Sequence, residues 1–417
     1  MTTAYRYRYG APSAMTGSGG DPVLGLRTTL DDAVGEDVLL DAFAERADVV
    51  AAGLLRVAEV AGTRFYVPPG SAQRAAWSDP IITAGRGLAR FESLSACSGV
   101  AARLDVLPGG LAVAAEHPGT TNVDVGPELR HLLAGVRRRQ PLRLVAGTGG
   151  LEVRTLDGAV HERVVSLPPR WVRSLAELHV LTSALVPVHE LDAVEARRFV
   201  EALPRSTPSS ATFWVHRVPS GLRLGQTEVA GGCRVGGPER LRLLAPMLRL
   251  ATGLRVYAPA DPTSAAVTCW ELTLPEARLV LVLSPAVPRG FSGEGALLDQ
   301  LVEGSPEAGL AAGGFLGFDL ATGTWFERRL PFTIDTVRAN PRLAKAQRLV
   351  DGGAVRVEAD RAVVRGTVGE HLVRLGTGGP ERCSCAWYAA HDGDRGPCAH
   401  MLAARIVLSA RDAGAGA

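Results

Sequence analysis

The sequence predicts an α+β chain of more than one domain, with a small metal-binding unit near its C-terminal end. Three observations lead there. The 417 residues exceed what a single hydrophobic core ordinarily holds. Stretches with helical spacing of apolar residues are interleaved with short strand-like runs along most of the chain. Three of the six cysteines, Cys383, Cys385 and Cys398, gather close to His400.

In chain order, Val38, Leu39, Ala42, Phe43, Val49, Leu54 and Leu55 are spaced for one or two amphipathic helices between about Glu36 and Val60. Strand-like runs follow at Arg64 to Val67, Val100 to Leu107 and Leu111 to Ala115, and Gly109-Gly110 reads as the turn of a hairpin between the last two. Pro127 and Glu128 open a helix running to Val136, and a hairpin turns at Gly149-Gly150. The pattern from Trp171 to Leu203 is helical. The segment 204–210 joins two prolines to small polar residues and reads as a domain boundary. Beyond it lie a strand at Thr212 to Val218, a helix from Pro238 to Leu250, and strands near Leu254 to Tyr257, Thr268 to Leu274 and Leu279 to Leu283. A helix near Gly295 to Val302 then leads to a hairpin whose arms are Phe315 to Leu320 and Thr324 to Leu330. The expected regions are 1–205, 206–340 and 341–417.

Hydrophobic residues at 46% and charged residues at 21% describe a chain that folds, not a disordered one. A formal net charge of +2 gives no global field toward nucleic acid or membrane, so any basic surface must be local. Lysine occurs once, at Lys345, which together with abundant Ala, Gly, Val and Leu points to GC-rich coding. No apolar run approaches the roughly 20 residues of a membrane span, and Met1 to Gly10 leads into no apolar signal core. A cytoplasmic location is the expectation, with thiols kept reduced and available to metal.

The C-terminal motif is Cys383-Ser384-Cys385, twelve intervening residues, then Cys398-Ala399-His400. Alternate residues of a strand share a face, so a Cys-x-Cys pair presents two sulfurs to one ion. Gly396-Pro397 turns the chain, placing Cys398 in the turn and His400 in the first turn of a helix. Three thiolates and one imidazole make a closed tetrahedral Zn²⁺ shell with no position left for a substrate. A disulfide between Cys383 and Cys385 would close a small strained ring. His391 and Asp392 in the spacer read as solvated loop residues, and Cys97, Cys233 and Cys269 as small core residues.

This stretch resembles the SWIM zinc finger, whose pattern is Cys-x-Cys, a spacer, then Cys-x-His on a ββα unit. The resemblance covers roughly Val355 to Ser409, with Ala362 to Arg365 and Glu370 to Arg374 as the hairpin and Leu402, Ala403, Ile406, Val407 and Ala410 as the apolar helix face. Upstream, Arg90 to Val100 and Gly119 to Asp124 are similar to bacterial SWIM-containing proteins in which the finger follows a large uncharacterised region. That likeness implies neighbours of the MoxR-type AAA+ ATPase and von Willebrand factor A kinds, hence an adaptor role.

No Walker A loop, His-Glu-x-x-His or Gly-x-Ser-x-Gly elbow occurs, so no enzyme is expected; the alternative is an active site of unrecognised type within residues 1–340. His179 and His189-Glu190 lie where a structural histidine is commoner than a catalytic one. Arg137-Arg138-Arg139 reads as a charged helix end. From Arg338 onward, twelve Lys or Arg stand against eight Asp or Glu. Arg365, Arg374, Arg382, Arg395 and Arg405 are therefore candidate contacts to a partner, with a protein ranked slightly above DNA or RNA.

Overall fold

In the computed structural model the described residues are 38–67, 80–165, 169–209, 211–261, 266–330, 340–358, 361–366, 368–376 and 381–415, with short strands at 7–9, 14–16, 23–25 and 28–30. The first layer of the main body begins with strand β1 (Val38–Ala44) and helix α1 (Ala47–Gly62). The first part of the helical stretch expected there is therefore strand. Val38, Leu40 and Ala42 serve either periodicity, and pairing of β1 with β5 (Leu111–Glu116) and β7 (Arg143–Gly147) decides between them.

An eight-stranded antiparallel sheet forms the centre. Its strands are β2 (Ile81–Gly85), β3 (Leu88–Leu94), β4 (Val100–Val106), β6 (Gly119–Asn122), β10 (Leu185–Asp192), β14 (Gly253–Pro259), β15 (Thr268–Leu274) and β16 (Ala277–Leu283). They lie in the order β6-β2-β3-β4-β16-β15-β14-β10. Both β4 and β16 are buried along their whole length, so each face has a cover. Ala102, Leu104 and Val106 face the core built on α1, which also includes Val57 and Leu54. Ala101, Val280 and Val282 face Trp171, Leu175 and Leu178 of α3 (Pro169–Ser183).

Because β4 pairs with β16, the sheet crosses the boundary expected at 204–210. Residues 204–209 lie in the connection from α4 (Ala193–Ala202) to β11 (Phe213–Val218). Two further expectations change. Strands β4 and β5 belong to different sheets, so Gly109-Gly110 is a crossing between layers and not a hairpin turn. His189 and Glu190 lie in β10, between two helices, and not within a helix.

The remaining β structure in the body includes β8 (Gly150–Thr155) and β9 (Gly158–Arg163), which complete a five-stranded sheet with β7, β1 and β5. Strands β12 (Gly221–Gly225) and β13 (Cys233–Val235) flank β11. Helix α2 (Pro127–Gly135) starts at the expected proline, and Pro238–Met247 is a 3-10 run. Helices α5 (Ala296–Val302) and α6 (Pro306–Ala312) pack near α3, followed by the hairpin β17 (Leu316–Asp319) and β18 (Thr324–Glu327).

That hairpin covers a charged part of the central sheet. Arg90, Asp105 and Arg278 are cross-strand neighbours on β3, β4 and β16. Asp319 of the hairpin inserts over them, 2.7 Å from Arg90 Nη2 and 3.4 Å from Arg103 Nη1's twin nitrogen Nη2. All of these side chains are buried, and such charges persist in a core only when paired. Among the described residues no helix is long and apolar enough to cross a membrane.

Candidate metal centre

The C-terminal unit begins with α7 (Pro341–Asp351), whose first turn is capped by the Asn340 side chain accepting from Arg342 and Leu343. A four-stranded antiparallel sheet follows, β19 (Val355–Glu358), β20 (Arg361–Gly366), β21 (Gly369–Arg374) and β22 (Arg382–Cys383). Helices α8 (Ala386–His391) and α9 (Ala399–Ala415) complete it. Val357, Ala362, Val373 and Cys383 form one buried row across the sheet.

Cys383, Cys385, Cys398 and His400 come together here. All four are buried, and one donor atom from each lies within 4.8 Å of the others. Cys383 ends β22. Cys385 is not in the strand but caps α8, its sulfur accepting from Tyr388 N at 3.4 Å. The two sulfurs converge through this turn and not through strand alternation. Cys398 lies just before α9 and His400 in its first turn.

His400 Nδ1 is 3.8 Å from Cys383 Sγ and 4.0 Å from Cys398 Sγ. A tetrahedral ion with bonds of about 2.0–2.3 Å holds its donors roughly 3.3–3.8 Å apart, and these spacings come within a few tenths of an ångström of what one Zn²⁺ requires. The thiols themselves point the same way. The Cys383 thiol shares its proton with Cys398, holding Cys398 below the ordinary thiol value and pushing Cys383 above it, while burial raises Cys385. Three such sulfurs cannot all ionise side by side unless a cation compensates them. When bound, a divalent ion supplies that charge and cross-links sheet to helix.

The spacer between the sulfur pairs is fixed by the expected turn at Gly396 and by Arg342, which the sequence did not single out. Arg342 Nη1 donates to the carbonyls of Arg395 at 2.6 Å and Pro397 at 3.0 Å, and its guanidinium lies 5.1 Å over the Trp387 ring. Gly396 has φ +67, and a Cβ there would stand 3.0 Å from the Glu294 carbonyl, so the turn needs glycine both for conformation and for contact with the body. Asn-capped α7 thus carries an arginine that staples the metal loop; no sequence periodicity marks it.

The five candidate arginines separate into two groups. Arg365, Arg374 and Arg382 are exposed on the sheet. Arg395 turns inward and donates to Gly293 O at 3.1 Å, and Arg405 pairs with Asp299 and Glu381 at 2.5 Å each. Those two tie the unit to itself and to the body. Their basic character served the sequence reading as a sign of a partner, but the nearest acceptors lie in the same chain.

The metal unit is also docked by apolar packing. Leu402, Ala403 and Ile406 of α9 meet Leu298 of α5 and Leu343 and Ala346 of α7, while Met401 and Ala404 face the finger sheet. A second feature lies where unit and body meet: a pocket of ≈ 240 Å³ lined by Arg64, Tyr66, Cys97, Ser98, Ser292 and Arg395. Cys97 Sγ is 3.4 Å from Ser95 Oγ; burial raises its thiol, but this contact and the N–H groups of Phe65, Gly99 and Tyr66 outweigh it and lower it.

No family model matches the chain. No curated protein matches it. Among solved structures, it is similar to the Proliferating Cellular Nuclear Antigen from Entamoeba histolytica, at 10% identity and a TM-score of 0.38, over 59% of this chain and 98% of that one. A likeness this loose assigns no function.

Proposed function

We propose that this protein is a SWIM-type zinc-finger adaptor in which one structural Zn²⁺ on Cys383, Cys385, Cys398 and His400 fixes a small surface that binds a macromolecular partner. The observation that carries the reading is a buried set of four donors, three sulfurs and one imidazole, brought within 4.8 Å of one another. Four protein ligands saturate a tetrahedral ion, so the metal's role is to hold β22 and α9 together and not to activate water. A protein partner is favoured over DNA or RNA because Arg395 and Arg405 are committed within the chain, which thins the basic surface a phosphate backbone needs. An AAA+ ATPase or von Willebrand factor A system is the partner class that family analogy supplies.

The test is affinity capture with the intact chain, with Cys398→Ser, and with wild type after chelation. Capture of a partner that requires both zinc and Cys398 supports the adaptor. A partner held equally by all three preparations removes the finger from the interaction. The alternative, an enzyme with its site before residue 340, has one feature in its favour, the Cys97 pocket. Turnover of any substrate class that survives loss of zinc and vanishes in Cys97→Ser would move the assignment there.

A further inference from the structure

The cavity where the metal unit meets the body is lined by four separate stretches of chain: Arg64 and Tyr66 after α1, Cys97 between β3 and β4, Ser292 before α5, and Arg395 in the metal loop. The turn that carries Cys97 is held from within, because Ser95 Oγ accepts from the N–H groups of Gly99 at 3.2 Å and Val100 at 3.1 Å. Phe291 N donates to Ser98 O at 2.8 Å, and a Cβ at Gly290 would stand 3.1 Å from Cys97 O. The segment with Ser292 therefore lies directly against the turn. Walls tied together in this way are set before a ligand arrives. At ≈ 240 Å³ the cavity is far larger than the roughly 10–15 Å³ that one water needs.

The lining holds two guanidinium groups and no carboxylate. Arg64 is half-buried, and among the described residues no acceptor meets its nitrogens. Arg395, also half-buried, donates Nε to Gly293 O at 3.1 Å, and among the described residues its two terminal nitrogens and the Ser292 hydroxyl have no acceptor either. Glu294 is close enough to bear on Arg395, but both of its oxygens already accept from Arg289. Behind the Cys97 turn, buried Arg240 donates to four carbonyls, Gly99 O among them at 2.9 Å, and to the Ser284 hydroxyl. Glu239 bears on it without a hydrogen bond. Positive charge thus outweighs negative around the cavity, and partial burial strengthens its field.

We propose that this cavity is a site for the phosphate group of a small molecule, held between Arg64 of the body and Arg395 of the metal loop, with the Ser292 hydroxyl as a further donor. A phosphomonoester carries about −1.5 to −2 at pH 7 and so matches two cations, whereas a single carboxylate would leave one uncompensated. A carboxylate offers two oxygens in one plane. A phosphate offers three that diverge, which suits donors coming from separate stretches of chain. Exposed arginines are commonly solvated and unpaired; these two are half-buried and line one cavity. The ligand bridges body and metal loop whichever partner the finger binds.

The experiment follows Cys97 in the zinc-loaded full chain, because its thiol lines the cavity and reports occupancy. Alkylation by iodoacetamide is timed by peptide mapping in inorganic phosphate, in glycerol 2-phosphate and in acetate at equal ionic strength, and calorimetry measures the binding of each directly. Both phosphates should slow Cys97 labelling saturably and acetate should not, since a bound dianion covers the thiol and disfavours its thiolate. Arg64→Gln and Arg395→Gln should each weaken phosphate binding at least tenfold, and Arg198→Gln, on the exposed side of α4, should leave it unchanged. Zinc content and far-ultraviolet dichroism check folding, and Arg64→Gln decides the matter should Arg395→Gln lose its metal. Tighter binding of glycerol 2-phosphate identifies a phosphomonoester as the ligand and tighter binding of inorganic phosphate identifies the free ion; either supports the site. Neither heat nor protection with both phosphates overturns the proposal, as does equal affinity in wild type and Arg64→Gln. Equal protection by acetate reduces the effect to screening and overturns it as well.

Discussion

Arg405 on the last helix reaches Asp299 on α5 with one nitrogen and Glu381 beside the metal strand with another. One side chain thus joins the body, the sheet end and the helix that carries His400. The three groups are partly exposed, so solvent screens the pairs and the energetic share is modest, about 1 kcal/mol. Arg405→Ala should leave zinc stoichiometry at wild type while amide exchange rises in both α9 and α5. Exchange confined to α9 would mean that the body does not feel the clamp.

Replacing His400 with alanine leaves three thiolates, so metal retention with weakened affinity is the expected outcome, not a fully empty site. Structural zinc in finger peptides is held with roughly 10–16 kcal/mol, and loss of one ligand removes part of that. Because Leu402 and Ile406 follow on the same helix and pack against Leu298, protection should fall from Cys398 to Ala410 and also in α5. The central sheet should keep its protection. Wild-type zinc affinity in His400→Ala would show that His400 is not a ligand.

Glu177 on α3 is buried and accepts the Leu297 N–H at 3.2 Å. Burial raises its carboxyl to about 7, against the 4.5 of a free glutamate. An acid raised in the folded state keeps its proton while the unfolded chain releases it. Stability should therefore decline as pH rises from about 4.5 through about 7 and level off above. Glu177→Gln keeps the acceptor and removes the charge, so it should stabilise by up to about 3 kcal/mol at pH 8 and flatten that decline. Urea unfolding at pH 5 and pH 8 measures both; a loss of stability at pH 8 contradicts the reading.

Asp319 is the opposite case. Burial acts to raise its carboxyl, but Arg103, Arg90 and Arg278 outweigh it and hold the group at about 2. An acid depressed in this way contributes stability above its unfolded value of 3.8 and loses it as pH falls toward 2. Asp319→Asn leaves three arginines without their shared anion and should cost about 3–5 kcal/mol at neutral pH. Denaturant titration reads the cost directly, and a change below about 1 kcal/mol would show that the hairpin is not what holds these charges in the core.

Among the six cysteines, Cys97 combines a lowered thiol with access to a pocket, whereas burial pushes Cys233 up to about 12 and raises Cys269. With zinc in place, iodoacetamide should modify Cys97 first, because the thiolate is the reacting species. Peptide mapping identifies the residue, and Cys97→Ser should remove the fast phase. First labelling at Cys233 or Cys269 would contradict the burial of both.

The metal donors were legible in the sequence because Cys-x-Cys and Cys-x-His bring their chemistry with them at short range. Strands such as Val100 to Leu107 and Leu279 to Leu283 and the hairpin after Phe315 were legible for the same reason, a local period with turn residues beside it. Local information failed where partners lie far along the chain. Val38 to Ala44 became a strand because β7, a hundred residues on, supplies its edge. The segment 204–210 looked like a boundary, yet β4 and β16 pair across it, and only their register shows that.

Arginine showed the limit most directly. Arg365, Arg374, Arg382, Arg395 and Arg405 are alike as letters, and composition gave all five the same reading. Tertiary packing set two of them apart, because Gly293, Asp299 and Glu381 come within hydrogen-bond reach of Arg395 and Arg405. The sequence by itself singled out the four residues that could hold a metal. Only the fold decided that Arg395 and Arg405 tie this unit to Gly293 and Asp299, since a charge's partner is set by distance through space.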